Sequence, residues 1–173
     1  MKLIYFPGFG GSQKSLTFQS LLEKYNDSEA VLYDNENANI AIEQIEKQIN
    51  FPTLSKNTLI IGQSLGGFWA EHFAIKYNLN LILINPSLNP HLSLKKYNLS
   101  TEKLDAYKSY KSNDFVKSQI TIILSKNDTT VDPKPVIEKY NDIAKFKLVD
   151  GDHNFKDYNT LINEIELMDN CKR

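Results

Sequence analysis

Cysteine is nearly absent. Cys171 is the only one in 173 residues, so no disulfide framework can form and a reducing compartment fits the chain. An excess of charge of one sign is also missing. Twenty Lys and Arg stand against 21 Asp and Glu, a formal net charge of -1, which provides no field to recruit nucleic acid. No basic, aromatic-interleaved motif takes its place. Apolar runs such as Leu81-Ile82-Leu83-Ile84 fall far short of the ~20 residues a membrane span needs. The three histidines, His72, His91 and His153, lack ligand spacings such as His-x-x-x-His, so no metal is expected. Neither Gly-x-Gly-x-x-Gly nor the Gly-Lys-Ser/Thr of a phosphate loop occurs, and no cofactor is expected. Met1-Lys2 runs straight into a short strand-like segment and Pro7-Gly8, with no signal-peptide core, so a cytoplasmic protein is expected. There is no internal repeat and no low-complexity linker.

What is present is ordinary globular material, with 41% hydrophobic and 24% charged residues. The length suits one domain spanning residues 1–173. Apolar, β-rich runs alternate with helical periodicity. Strands are expected at Leu3–Phe6, Ala30–Tyr33, Thr58–Ile61, Leu79–Ile84, Ile120–Leu124 and Lys145–Val149. Between them, Leu16, Phe18, Leu21, Leu22 and Tyr25 recur at helical spacing, and helices are expected at Ile40–Ile49, Phe68–Tyr77, Pro133–Ala144 and Phe155–Met168. Leu161, Ile162, Ile165 and Met168 form the apolar stripe of the last. Strands apolar on both faces and separated by helices imply a doubly wound α/β sheet, mostly parallel and covered on both sides. Functional groups then belong in the loops at the carboxyl ends of the strands.

One such loop is distinctive. Leu59-Ile60-Ile61-Gly62-Gln63-Ser64-Leu65-Gly66-Gly67-Phe68-Trp69 reads as a strand, a Gly-x-Ser-x-Gly turn and a helix. That is the order of a nucleophile elbow, in which a strained strand-to-helix turn exposes the serine hydroxyl. A Cβ two residues before or after the serine would meet neighbouring backbone. A hydroxyl is a poor nucleophile until a base takes its proton and an acid orients that base. Strand five ends in Ser125-Lys126-Asn127-Asp128, and strand six in Asp150-Gly151-Asp152-His153. The order Ser64, Asp128, His153 is that of α/β-hydrolase triads. Imidazole exchanges protons near neutrality, so His153 is the expected base. Asp128 is preferred as the acid over Asp132, which precedes the proline of a helix start and reads as a cap. Asp150 and Asp152 suit turns, and His72, inside the elbow helix, suits a structural role. An oxyanion needs two amide donors: Leu65, directly after the serine, and Phe9, in the glycine-rich loop Pro7-Gly8-Phe9-Gly10-Gly11.

The segment after strand four, Pro86–Ser118, breaks the alternation with prolines, lysines and the rings of His91, Tyr97, Tyr107, Tyr110 and Phe115. It reads either as a solvated excursion or as a small helical lid over Ser64, placed at 87–118. Lys95, Lys96, Lys103, Lys108 and Lys111 suit a solvated surface or an anionic substrate.

The set Phe6-Pro7-Gly8-Phe9-Gly10-Gly11-Ser12, Gly62-Gln63-Ser64-Leu65-Gly66-Gly67, Ile84-Asn85-Pro86-Ser87, Asn127-Asp128 and Gly151-Asp152-His153-Asn154-Phe155 resembles the YqiA/YcfP-like esterases, small bacterial members of the α/β-hydrolase superfamily. The resemblance implies a minimal six-stranded hydrolase core, cytoplasmic residence, carboxylesterase-type activity on small-molecule acyl esters, and Ser64, Asp128 and His153 as the triad. Pro7-Gly8 departs from the family's His-Gly. Alternatives to the esterase are a thioesterase on the same triad, including an acyl-CoA-type hydrolase, and a silent hydrolase-like binding protein.

Overall fold

β-branched and aromatic runs that are apolar on both faces are stable only where both faces are covered. They build one sheet in the order β2-β1-β3-β4-β5-β6, with every neighbouring pair parallel. The strands are β1 (Leu3–Phe6), β2 (Glu29–Ala30), β3 (Leu59–Gln63), β4 (Asn80–Ile84), β5 (Ile120–Ser125) and β6 (Lys145–Val149). The helices are α1 (Leu16–Leu22), α2 (Ala38–Gln48), α3 (Leu65–Tyr77), α4 (Pro90–Ser93), α5 (Thr101–Ala106), α6 (Lys134–Tyr140) and α7 (Tyr158–Asn170). The computed structural model describes residues 1–170; Cys171 and the end of the expected 1–173 domain lie outside the described residues.

Strand periodicity divides the core. Ile4, Phe6, Ile60, Leu81, Leu83 and Ile122 face the layer of α2, α3 and α6. Leu3, Tyr5, Leu59, Ile61, Ile82 and Ile123 face α1 and α7. The chain moves outward from β1 to β2 through α1, then returns past β1 to β3 through α2. Right-handed crossovers in opposite directions must use opposite faces, which is why α1 and α2 lie on different layers.

Among the boundaries that differ from the sequence expectation, three have reasons visible in side-chain and turn contacts. β2 stops at Ala30 because the Gln48 side chain takes over the pairing, its Oε1 accepting from the Leu32 amide (3.0 Å) and its Nε2 donating to the Leu32 carbonyl. α6 ends at Tyr140, whose carbonyl accepts from both Ile143 (3.1 Å) and Ala144 (2.9 Å) and closes a turn into β6. α7 begins at Tyr158 rather than Phe155 because the Asp157 carboxylate accepts from the amide (3.1 Å) and hydroxyl (2.7 Å) of Thr160. β6 is an edge strand and not apolar on both faces. Its Lys145 and Lys147 reach the buried Glu164 of α7 at 2.7 and 3.3 Å. Among the described residues no helix is long and apolar enough to cross a membrane.

Candidate active site

Ser64 sits between β3 and α3 with φ 53° and ψ -121°, a backbone that a non-glycine residue adopts only when its surroundings impose it. The surroundings here are close-packed main chain. A Cβ on Gly66 would lie 2.0 Å from the Phe6 carbonyl oxygen, and one on Gly62 would lie 2.5 Å from the Gly66 oxygen. The serine is also tied to the next strand: its amide donates to the Ile84 carbonyl (3.0 Å), and its carbonyl accepts from Ser87 (2.9 Å) and Gly67 (2.9 Å). Because β3 is flanked by β1 and β4, the hydroxyl stands at the middle of the sheet's carboxyl edge.

The loops after β5 and β6 converge on it. They are laced together by the Lys126 amide on the Val149 carbonyl (2.9 Å) and the Asn127 amide on the Gly151 carbonyl (3.0 Å). His153 lies with Nε2 2.8 Å from Ser64 Oγ and Nδ1 2.7 Å from Asp128 Oδ2. Since a carboxylate only accepts, the hydrogen-bond network assigns the ring proton to Nδ1 and leaves Nε2 to accept from the serine hydroxyl. The other carboxylate oxygen of Asp128 is held by the amides of Thr130 (2.8 Å) and Val131 (3.2 Å). The Asp128 side chain is 8% exposed and that of His153 18%, so the pair works in a medium of lower dielectric than water. Asp132 is turned elsewhere and accepts from the Lys134 amide at the start of α6 (3.0 Å). Asp150 pairs with Lys126 at 2.7 Å, and Asp152 accepts from the Asn154 amide (2.8 Å).

Phe9 and Leu65 line the same space as Ser64. Among the described residues neither amide donates a hydrogen bond to another group. The first loop lies directly against the serine, since a Cβ on Gly8 would be 3.1 Å from Ser64 Cβ. With proline at position 7 the loop is anchored by the Tyr33 hydroxyl, which donates to the Pro7 carbonyl, and by Asn35, which accepts from the Gly10 amide.

Residues 87–118 lie between β4 and β5, and their rings do different things. Tyr97 stacks on Phe9 with centroids 4.0 Å apart and, with Leu94 and Val131, leaves a cavity of only about 10 Å³ beside Ser64. Tyr107 is buried against Phe68 and Trp69, while Phe115 packs on Tyr140. These rings anchor the segment to α3 and α6. Partly buried His72 meets the Tyr110 carbonyl through Nδ1 (3.0 Å), and burial pushes its proton affinity down. His91 is pushed down by burial and by the Lys108 and Lys111 ammoniums. Lys103 and Lys108 pair with Glu36 (2.8 Å) and Asp105 (2.6 Å), and Lys111 donates to Asn89 (2.7 Å). Only Lys96 of that group lines the space beside Ser64. Among the described residues no cluster of His, Cys, Asp and Glu could hold a metal ion.

Two features of the site went unread in the sequence: the anchoring of the loop by Tyr33, and the side chain of Asn85, at the end of β4. The second carried a weak signal, because asparagine tolerates the left-handed backbone it adopts (φ 43°) better than most residues, although the proline that follows favours an extended one.

The chain matches the model of a family described as "Uncharacterised protein family (UPF0227)" over residues 2–169, and it belongs to that family. It is 32% identical over 103 residues to a UPF0227 protein of Shewanella woodyi, a match covering 57% of this chain and a little over half (56%) of that relative. Among solved structures it resembles alpha/beta hydrolase domain-containing protein 10 from mouse (TM-score 0.75, 15% identity, 99% of this chain and 90% of that one). It also resembles Est1E from Butyrivibrio proteoclasticus (TM-score 0.75, 13% identity, 99% and 86%). At these identities the likeness is one of fold: this is a minimal α/β-hydrolase fold of six parallel strands with helices on both faces.

Proposed function

We propose that this UPF0227 family member is a serine hydrolase that cleaves carboxylic esters of small acyl groups through an acyl-enzyme. The observation that carries the reading is the unbroken chain from Ser64 Oγ to His153 Nε2 (2.8 Å) and from His153 Nδ1 to Asp128 Oδ2 (2.7 Å). As the Ser64 oxygen attacks an ester carbonyl, its proton passes to His153 Nε2. Asp128 keeps the ring in the required tautomer and stabilises the imidazolium that forms. The carbonyl oxygen becomes an oxyanion, and the uncommitted amides of Phe9 and Leu65 are the donors for it, aided by the N-terminal end of the 13-residue α3. The imidazolium returns its proton to the departing alkoxide, leaving an ester on Ser64. Water, deprotonated by the same imidazole, then attacks that ester; the bond from the acyl carbon to Ser64 Oγ breaks, the imidazolium returns its proton to Oγ, and the acid is released.

Residues 87–118 are the lid in this reading. The Phe9–Tyr97 stack leaves about 10 Å³ beside Ser64, so substrate enters when Tyr97 lifts away. With Tyr97 lifted, Phe9, Leu65, Leu94 and Val131 are the apolar lining against which a short acyl group packs. The test is hydrolysis of p-nitrophenyl acetate, butyrate and octanoate by the wild type and by Ser64→Ala. The expected result is turnover that falls with acyl length and drops more than about a thousandfold in the variant. Turnover surviving Ser64→Ala sinks the mechanism.

A further inference from the structure

Asn85 closes β4 in a left-handed conformation (φ 43°), and its own amide still completes the sheet ladder to the Ile123 carbonyl (3.0 Å). The residue is 2% exposed, and its side chain turns across the sheet edge. Oδ1 accepts from the Ser125 amide at 2.7 Å. This contact fixes the orientation of the carboxamide, since only oxygen accepts from an N–H. Nδ2 must then donate, and it faces three acceptors: Ser125 Oγ at 3.0 Å and the carbonyl oxygens of Asp152 and His153, both at 3.4 Å. The side chain therefore acts as one more peptide group on β4, continuing the ladder where the main chain leaves it at Pro86. It reaches β5 on one side and the backbone that carries the imidazole on the other.

The same short stretch also holds the serine, through the Ile84 carbonyl and the Ser87 amide. Ser64 and His153 are 89 residues apart in sequence, yet both backbones are fastened to residues 84–87. We infer that Asn85 is a positioning residue that sets the distance between the His153 ring and the Ser64 hydroxyl, by gripping the His153 loop from the strand that also grips Ser64. The inference rests on the hydrolase reading above. It adds to it an element that does not touch substrate: a buried carboxamide whose loss leaves the triad side chains present but loosely spaced. Placing a reacting group about 1 Å out of line costs on the order of a hundredfold in rate, whereas substrate binding, made by other groups, is unaffected.

Two substitutions test it. Asn85→Gly tolerates the left-handed backbone and removes the grip. Asn85→Asp keeps the shape and the acceptor for Ser125 but turns an oxygen toward the two loop carbonyls. With p-nitrophenyl acetate, both are expected to lower kcat by about 10- to 100-fold with KM within about twofold, measured well below each variant's melting temperature. Ser125→Ala removes the hydroxyl contact and leaves the loop grip, so its kcat stays within about threefold of wild type. A second readout is independent of turnover: the low-field proton resonance of the His153 Nδ1–H, which is expected to broaden or vanish in both Asn85 variants and to persist in Ser125→Ala. An active wild type whose folded Asn85 variants keep both kcat and the resonance overturns the inference and leaves the hydrolase reading standing. A wild type silent toward esters whose resonance still depends on Asn85 supports the positioning and sinks the hydrolase reading.

Discussion

Adding a single methyl group at Gly66 sets two physical effects of opposite sign against each other. Gly66 lies in the first turn of α3, outside the left-handed region. Helix propensity alone favours Gly66→Ala there, by up to about 1 kcal/mol. Packing opposes it. The new Cβ would stand 2.0 Å from the Phe6 carbonyl oxygen, 2.5 Å from the Phe6 carbonyl carbon and 2.5 Å from the Pro7 oxygen. These are main-chain atoms at and just after the end of β1, where Phe6 is paired with Gly62 of β3, and main chain has no rotamer to change. Either α3 or the strand end must move by about 1 Å, and overpacking of that kind costs about 1–3 kcal/mol or more. Packing wins, with a net loss of roughly 2 kcal/mol, or a fall in melting temperature of about 4–8 °C for a chain of this size. Gly10→Ala is the control. Nothing lies within 4 Å of its new Cβ and the only cost is its φ of +70°, about 1 kcal/mol. Circular-dichroism melts and urea titrations of the three proteins would measure the order. Because the displaced atoms lead directly into the loop carrying Phe9, esterase activity should fall at least tenfold in Gly66→Ala even below its melting temperature. A Gly66→Ala protein as stable as wild type would refute the packing argument.

Two further outcomes are expected. Glu71, 3% exposed, accepts from the Tyr140 hydroxyl (2.7 Å) and pairs with Lys139 (3.3 Å), yet burial outweighs both and holds its carboxyl above the usual range. The folded state therefore binds that proton more tightly than the unfolded chain. Its contribution is full at acid pH and is lost as pH rises through the raised value. Glu71→Gln does not titrate, so its stability relative to wild type in urea should increase from pH 4 to pH 7, and a decrease would refute the assignment. Asp128→Asn should cost about a thousandfold or more in kcat by removing the acceptor that fixes the ring tautomer. Asp132→Asn, at a carboxylate that accepts from the Lys134 amide and does not meet the ring, should stay within about twofold; equal losses in p-nitrophenyl ester assays would contradict their different placements.

The sheet was legible because its inner strands are short, β-rich and apolar on both faces, and because Gly62 and Gly66 bracket a serine between a strand and a helix. The edges were less legible. The end of β2 depends on Gln48, 16 residues away from Leu32, and no local pattern announces that a side chain will replace a ladder. The strand at Lys145–Val149 is expected among those apolar on both faces, but Leu148 is exposed and the two lysines around Phe146 turn onto Glu164, a tertiary arrangement that no local pattern announces. Chain order put Asp128 and His153 on loops at one edge. Which carboxylate faces the ring depends on the turn that Asp128 makes with the Thr130 and Val131 amides, and position along the chain does not encode that. The lysines and aromatic rings of residues 87–118 looked alike in sequence. Their partners divide them: Tyr107 and Phe115 belong to packing, while Tyr97 and Lys96 belong to the site.

The claim that Ser64 is an activated nucleophile has a direct test that needs no knowledge of the natural substrate. Purified protein is incubated with a fluorophosphonate probe, digested and mapped by mass spectrometry. The account predicts one adduct per chain, on Ser64, abolished by Ser64→Ala and slowed by His153→Ala. A folded protein that takes up no probe, or takes it up on another serine, would contradict it.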